Sequence, residues 1–187
     1  MNPAISNLVL MLGMTQVSRK FDWENPNTIF YVRVLYVSCT LAVLLIYLAA
    51  RFKIVKKNDL TTLKYLEPAN ALSGQTEPKY VVTTVKDYDL KQIQSSIRGV
   101  FTGVAMMGFM HIYMKYTNPL LMQSISPLKG ALENNIVKIH LWGSAPVGDL
   151  KRPFKAPSMF GGSGDVKTDK QSIEKAETAG TGGIKEE

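Results

Sequence analysis

Apolar residues gather in three blocks along the chain, and the charged residues lie almost wholly between and after them. The longest block, Ile29 to Ala50 (IFYVRVLYVSCTLAVLLIYLAA), predicts a helix roughly 33 Å long, enough to cross a hydrocarbon core. Asn25-Pro26-Asn27 before it is expected to break helix, and Arg51, Lys53, Lys56 and Lys57 after it do not enter lipid cheaply. Those cations mark their end of the span as cytosolic. The first block, Ala4 to Val17, is shorter than the roughly 17 to 25 residues of a perpendicular span and carries Ser6, Asn7, Gly13, Thr15 and Gln16. It predicts either a short span or a re-entrant or interfacial helix.

The third block begins before its hydropathy rises. Asp89-Leu90-Lys91-Gln92 has the Asp-x-x-Gln form of a helix N-terminus, and Leu90, Ile93, Ile97 and Phe101 follow at helical spacing. One helix is expected from Asp89 to Tyr116, amphipathic at first and apolar over VFTGVAMMGFMHIYMKY, until Asn118-Pro119 ends it. Pro119 to Leu128 has too few apolar residues to span and reads as a half-helix or interfacial segment. In the polar stretch 51–88, VVTTV at 81 to 85 is a short strand or extended segment. Beyond Trp142 the chain turns rich in Gly, Pro and Lys, and disorder is expected from Phe160 onward.

The expected fold is an all-α integral membrane protein with two to three short or broken membrane helices, a cytosolic amphipathic helix and a disordered C-terminal tail. A membrane domain would cover 1–142, with segments 4–17, 29–50, 97–116 and the partial segment 119–128 around the polar loop 51–88. A basic, largely disordered tail would cover 143–187. Two topologies compete. A partial third block keeps the basic region after Ala50 and the basic tail together in the cytosol, whereas three full spans place Arg51 to Lys57 in the lumen. The first is preferred here.

Composition narrows the function. The 187 residues carry a formal charge of +7 and one cysteine, Cys39, inside an apolar run. An intramolecular disulfide and a cysteine-based zinc site are thereby excluded. No internal repeat and no secretory signal is evident. Walker, His-Glu-x-x-His and Gly-x-Ser-x-Gly motifs are absent from the sequence, so neither an enzyme nor a cofactor is expected. The two histidines, His111 and His140, lie in different segments, which argues against a metal site.

Arg33 is the unusual residue, because a guanidinium near mid-bilayer costs roughly 2.5 to 3.5 kcal/mol on insertion scales. It either snorkels to the headgroups or faces a hydrated groove, for which Gln16, Ser18, His111, Lys115, Asn118 and Gln123 are candidate lining. Methionine is the second oddity: Met106, Met107, Met110 and Met114 fall on one predicted helix and offer adaptable apolar contact to a client segment, or simply pack. Gly99-x-x-x-Gly103 and Gly108 form a small-residue face that permits close helix approach. Lys151, Arg152 and Lys155 cluster around Pro153 and Phe154, for ribosomal RNA, lipid headgroups or a plain positive flank.

Several long strings are compositionally odd: MNPAISN, KNDLTTLKYLEPANALSG at 57 to 74, VTTVKDYDL at 82 to 90, GVAMMGFMHIYMKYTNPLLMQSISP at 103 to 127 and GDLKRPFKAPSMFGG at 148 to 162. On these the whole chain resembles the fungal membrane protein family named for inorganic phosphate transport, also described as the third component of the SRP-independent (SND) targeting pathway. The resemblance implies a multi-pass protein of the endoplasmic reticulum membrane with a cytosolic tail, which helps deliver or insert client membrane proteins. Its implied partners are the Sec61-type translocon, the ribosome, other SND components and the lipid bilayer. It supplies no catalytic residues. The competing expectation is a phosphate-transport subunit using Arg33 as its anion site, and a third is a purely structural translocon subunit.

Overall fold

The computed structural model describes residues 3–67, 79–154 and 184–185. Its axis is helix α2, Pro26–Lys57. The Asn25 side chain accepts from the Asn27 N–H at 2.9 Å and Pro26 occupies the first turn, so the segment expected to break helix starts it instead. Past Ala50 the helix continues through its basic turn to Asn58, whose left-handed backbone (φ 48°) closes it with a bond to the Ile54 carbonyl. The 32 residues reach about 48 Å. Exposed Tyr31 and Phe52 stand about 32 Å apart along it, close to the thickness of a hydrocarbon core.

Helix α1, Pro3–Ser18, is apolar but only 16 residues long. Helix α3, Val85–Gly108, starts four residues before Asp89. Thr84 and Asp87 cap it reciprocally: the Asp87 N–H donates to the Thr84 hydroxyl oxygen at 3.1 Å, and that hydroxyl donates to the Asp87 carboxylate. The N-terminal role read onto Asp89 belongs to this pair. Beyond Gly108 the helix widens into a π-helical turn, Phe109–Tyr113, and stops at Lys115, whose φ is 59°. Helix α4, Asn118–Glu133, runs five residues further than the half-helix expected, and α5, Asn135–His140, follows under an Asn134 cap.

The all-α expectation fails in the loop 51–88, which folds into strands β1, Thr62–Glu67, and β2, Lys79–Thr84. They pair antiparallel from Thr62↔Thr84 to Glu67↔Lys79. Alternation explains it, since Leu63 and Tyr65 turn inward between outward Thr62 and Lys64. A two-residue strand β3, Ile184–Lys185, lies parallel to β2 with Val81 opposite Ile184. The disorder expected from Phe160 onward falls, apart from these two residues, outside the described residues.

Three apolar clusters hold the elements together. Val43, Tyr47, Ala50 and Ile54 of α2 meet Ile93 of α3, Ala131 of α4, and Ile136 and Val137 of α5. Near the other end, Met14, Val32 and Met107 surround Leu120 and Leu121. Tyr65, Val81 and Tyr88 form a third cluster between sheet and α3, and Phe154 packs against it. Chain direction follows from these contacts: α3 leaves the sheet end of the bundle and α4 returns to it. Helix α1 lies antiparallel on α4, tied by Ser18 to Asn118 at 3.1 Å and by Lys129 to Asn7 at 2.7 Å. Among the described residues α2 alone is long and apolar enough to cross a membrane.

Candidate functional site

Helices α3 and α4 both lean on α2 but touch each other little. The space between them is a groove of about 340 Å³. Its floor is Tyr36, Thr40, Val43 and Tyr47 of α2; one wall is Ser96, Gly99, Val100, Gly103 and Val104 of α3, and the other is Gln123, Ser124, Pro127 and Gly130 of α4. A Cβ added at Gly99, Gly103 or Gly130 would meet nothing within 4 Å. The small-residue face therefore opens onto the groove and brings no helix of this chain close.

The lining mixes apolar surface with polar groups. Hydroxyls of Thr40, Ser96 and Ser124 donate to carbonyls one turn earlier, at 2.8, 3.1 and 2.7 Å. Pro127 has no N–H to give the Gln123 carbonyl one turn before it, so that acceptor lacks its helical partner on the groove wall. Outside the groove the helices present aliphatic and aromatic surface, including Leu41, Leu45 and Leu48 on α2 and Phe101 and Met106 on α3. A mainly apolar cleft with a few hydroxyls and the Gln123 amide in its lining offers both an apolar contact and hydrogen-bond partners to a chain segment.

Of the residues singled out from sequence, Gln123 and the small-residue pair Gly99 and Gly103 line this groove. Arg33 and His111 do meet, with Nε donating to the imidazole Nε2 at 2.9 Å, but they sit at the loop end, apart from the lining. Gln16, Lys115 and Asn118 are exposed at that same end, Asn118 in contact with Ser18. Met107 is buried against Leu120 and Leu121 and packs the bundle. Met106 and Met114 are exposed, Met110 is half-buried, and neither they nor Met107 line the groove. The other lining residues escaped sequence reading because no single helix carries them; the signal available was the pairing of Gly99 and Gly103 with Pro127 and Gly130.

The sheet end carries a second arrangement. Asp89 is fully buried, its two oxygens taking Nε and Nη2 of Arg152 at 2.6 Å each, and His140 Nε2 lies 2.7 Å from Oδ2. Arg152, read from sequence as part of a surface cluster, turns inward because a buried carboxylate requires a counter-charge. Lys151 stays exposed, and Lys155 lies outside the described residues. The Tyr88 hydroxyl accepts from the Phe154 N–H at 2.7 Å, and burial pushes its phenol up to about 12. At the end of α2, bonds from the Thr61 hydroxyl and N–H hold the Asp59 carboxyl below the usual range. The clasp fixes residues 148–154 beside the C-terminal end of α2.

These features define a mainly helical protein with one helix long and apolar enough to cross a membrane and an amphiphilic groove beside it. The chain belongs to the family described as Phosphate transport (Pho88), whose profile matches residues 1–184. The resemblance read from sequence is confirmed. Over its whole length the chain is 61% identical to SRP-independent targeting protein 3 of Saccharomyces cerevisiae, and the match covers 100% of that protein. The SRP-independent targeting protein 3 homolog of Schizosaccharomyces pombe is 38% identical over 94% of this chain and 91% of its own. No solved structure matches the chain.

Proposed function

We propose that the protein is a non-enzymatic factor for SRP-independent targeting and insertion of membrane proteins at the endoplasmic reticulum, and that the groove between α3 and α4 receives the client segment. The observation that carries this reading is the groove's lining: glycines with open space above them, beside the hydroxyls of Thr40, Ser96 and Ser124, inside an apolar girdle. A polar flank of a client can lie along it while the client's apolar part meets lipid. The names of the relatives support the targeting role.

The basic sheet end, with exposed Arg51, Lys53, Lys56, Lys57 and Lys151, faces the cytosol in this reading and meets ribosome or translocon there. The clasp of Arg152 on Asp89 supports that orientation, since it keeps the start of the tail on the same end as the cations after α2. Arg33 takes no part in the groove, and the exposed methionines act only as peripheral apolar surface.

Gly99→Leu/Gly103→Leu tests the reading directly. A Cβ at either position meets open space on the groove wall, so the added side chains extend into the groove, and an unchanged melting temperature checks that the variant still folds. Insertion of an SRP-independent client into depleted, reconstituted microsomes is expected to drop about tenfold, an effect on the order of 1.4 kcal/mol. Unchanged insertion with a filled groove would remove the groove from the mechanism.

A further inference from the structure

We propose that Arg33 binds a phosphate group, supplied by the headgroup of a membrane phospholipid. The inference rests on α2 lying in a bilayer and is independent of what occupies the groove. Arg33 sits seven residues into α2, about 10 Å from its start, and is exposed among lipid-facing residues. Tyr31 lies two residues before it, and Tyr113 on the π-helical turn and Tyr116 just beyond that turn are exposed. Amphipathic rings of this kind collect at headgroup level.

The guanidinium is held by one edge only. Its Nε donates to His111 Nε2, which must then be the acceptor nitrogen of a neutral imidazole, and the other ring nitrogen, Nδ1, donates to the Tyr116 carbonyl at 3.0 Å. His111 thus orients the guanidinium without bringing charge. Among the described residues no carboxylate pairs with Arg33, and its partner is His111, on Nε. An uncompensated cation on an apolar wall requires an anion from outside the chain. The two free Nη groups present parallel donors that fit two oxygens of one phosphate, and the bilayer carries phosphodiesters at this depth.

The test reconstitutes the full chain into phosphatidylcholine nanodiscs and releases it into native mass spectrometry, with Arg33→Gln and Arg33→Lys beside the wild type. Lipid-bound protein is expected to fall about tenfold in R33Q, with R33K between, since lysine keeps the charge and loses the paired donors. Equal retention in all three overturns the proposal. A parallel preparation in uncharged galactolipid with added inorganic phosphate separates the sources. An Arg33-dependent phosphate adduct there overturns the lipid assignment in favour of the free anion, whereas retention confined to phosphatidylcholine supports the headgroup. If R33Q does not fold, solid-state NMR of wild type and R33K decides: phosphorus in the bilayer should dephase arginine side-chain nitrogens in the wild type and lose the Arg33 share in R33K. No difference between the two overturns the site.

Discussion

Asp89 is fully buried, and its two oxygens are held by Arg152 and His140. Replacing it with Asn leaves the inward guanidinium without a counter-charge, and a loss of about 3 to 5 kcal/mol is expected. Thermal unfolding of purified Asp89→Asn in detergent measures it. The triple variant Asp89→Leu/Arg152→Leu/His140→Leu should recover most of the loss, because with all three polar partners replaced none is left buried and unpaired. Tyr88 gives a pH signature. Its folded value of about 12 lies above the ordinary 10.0, so the folded state holds the phenolic proton longer. The stability this gives is present in full below pH 10.0 and is lost as pH rises toward about 12. Tyr88→Phe should flatten that part of an alkaline denaturation curve. Neither residue was legible as a clasp in the sequence: Arg152 looks like one cation of a basic run, and its partner lies 63 residues upstream.

Among the elements, the π-helical turn ends in a backbone that side chains resist. Lys115 at φ 59° should accept Gly with no loss of stability, while Lys115→Val costs about 1 to 2 kcal/mol, checked by chemical denaturation of the two variants. The seat of α1 on α4 is testable by crosslinking. Cysteines at Ser18 and Asn118, in a Cys39→Ser background, should form a disulfide under mild oxidation. The elements also show what sequence pattern conveys. Helix α2 was plain because one uninterrupted apolar run outweighs its single arginine, but Asn25-Pro26 reads equally as breaker or as cap until the helix is seen. Two successive capping patterns, Thr84-x-x-Asp87 and Asp89-x-x-Gln92, stand near the start of α3; only the second was read from sequence, and the Asp87 N–H bond to Thr84 makes the first the cap. The last turn of α4 and all of α5 were missed, since Ala131, Ile136, Val137 and Ile139 are too few and too scattered to signal a core they nonetheless fill.

At the scale of the whole molecule, the sheet end gathers the C-terminus of α2, the start of α3 and residues 148–154, while the loop between α1 and α2 and the turn before α4 share the opposite end. Single cysteines replacing Asp59 and Asp149 should accordingly label together with an impermeant maleimide in sealed microsomes, and one replacing Asp22 should be protected. Labelling of Asp22→Cys with protection of the other two would invert the orientation proposed for the basic end. The sequence left this open because topology depends on where α3 and α4 turn, and the long-range contacts that fix the turn have no local signature. The same long-range wiring sets a clock. Arg33 and His111 are separated by 78 residues. A ribosome adding roughly 5 to 20 residues each second delivers the histidine about 4 to 16 seconds after the arginine. During that interval the guanidinium has no imidazole to orient it, and α2 waits for the helices that will bury its inner face. The least protected moment of this chain falls while it is still being made, and its duration is written in the distance between two residues.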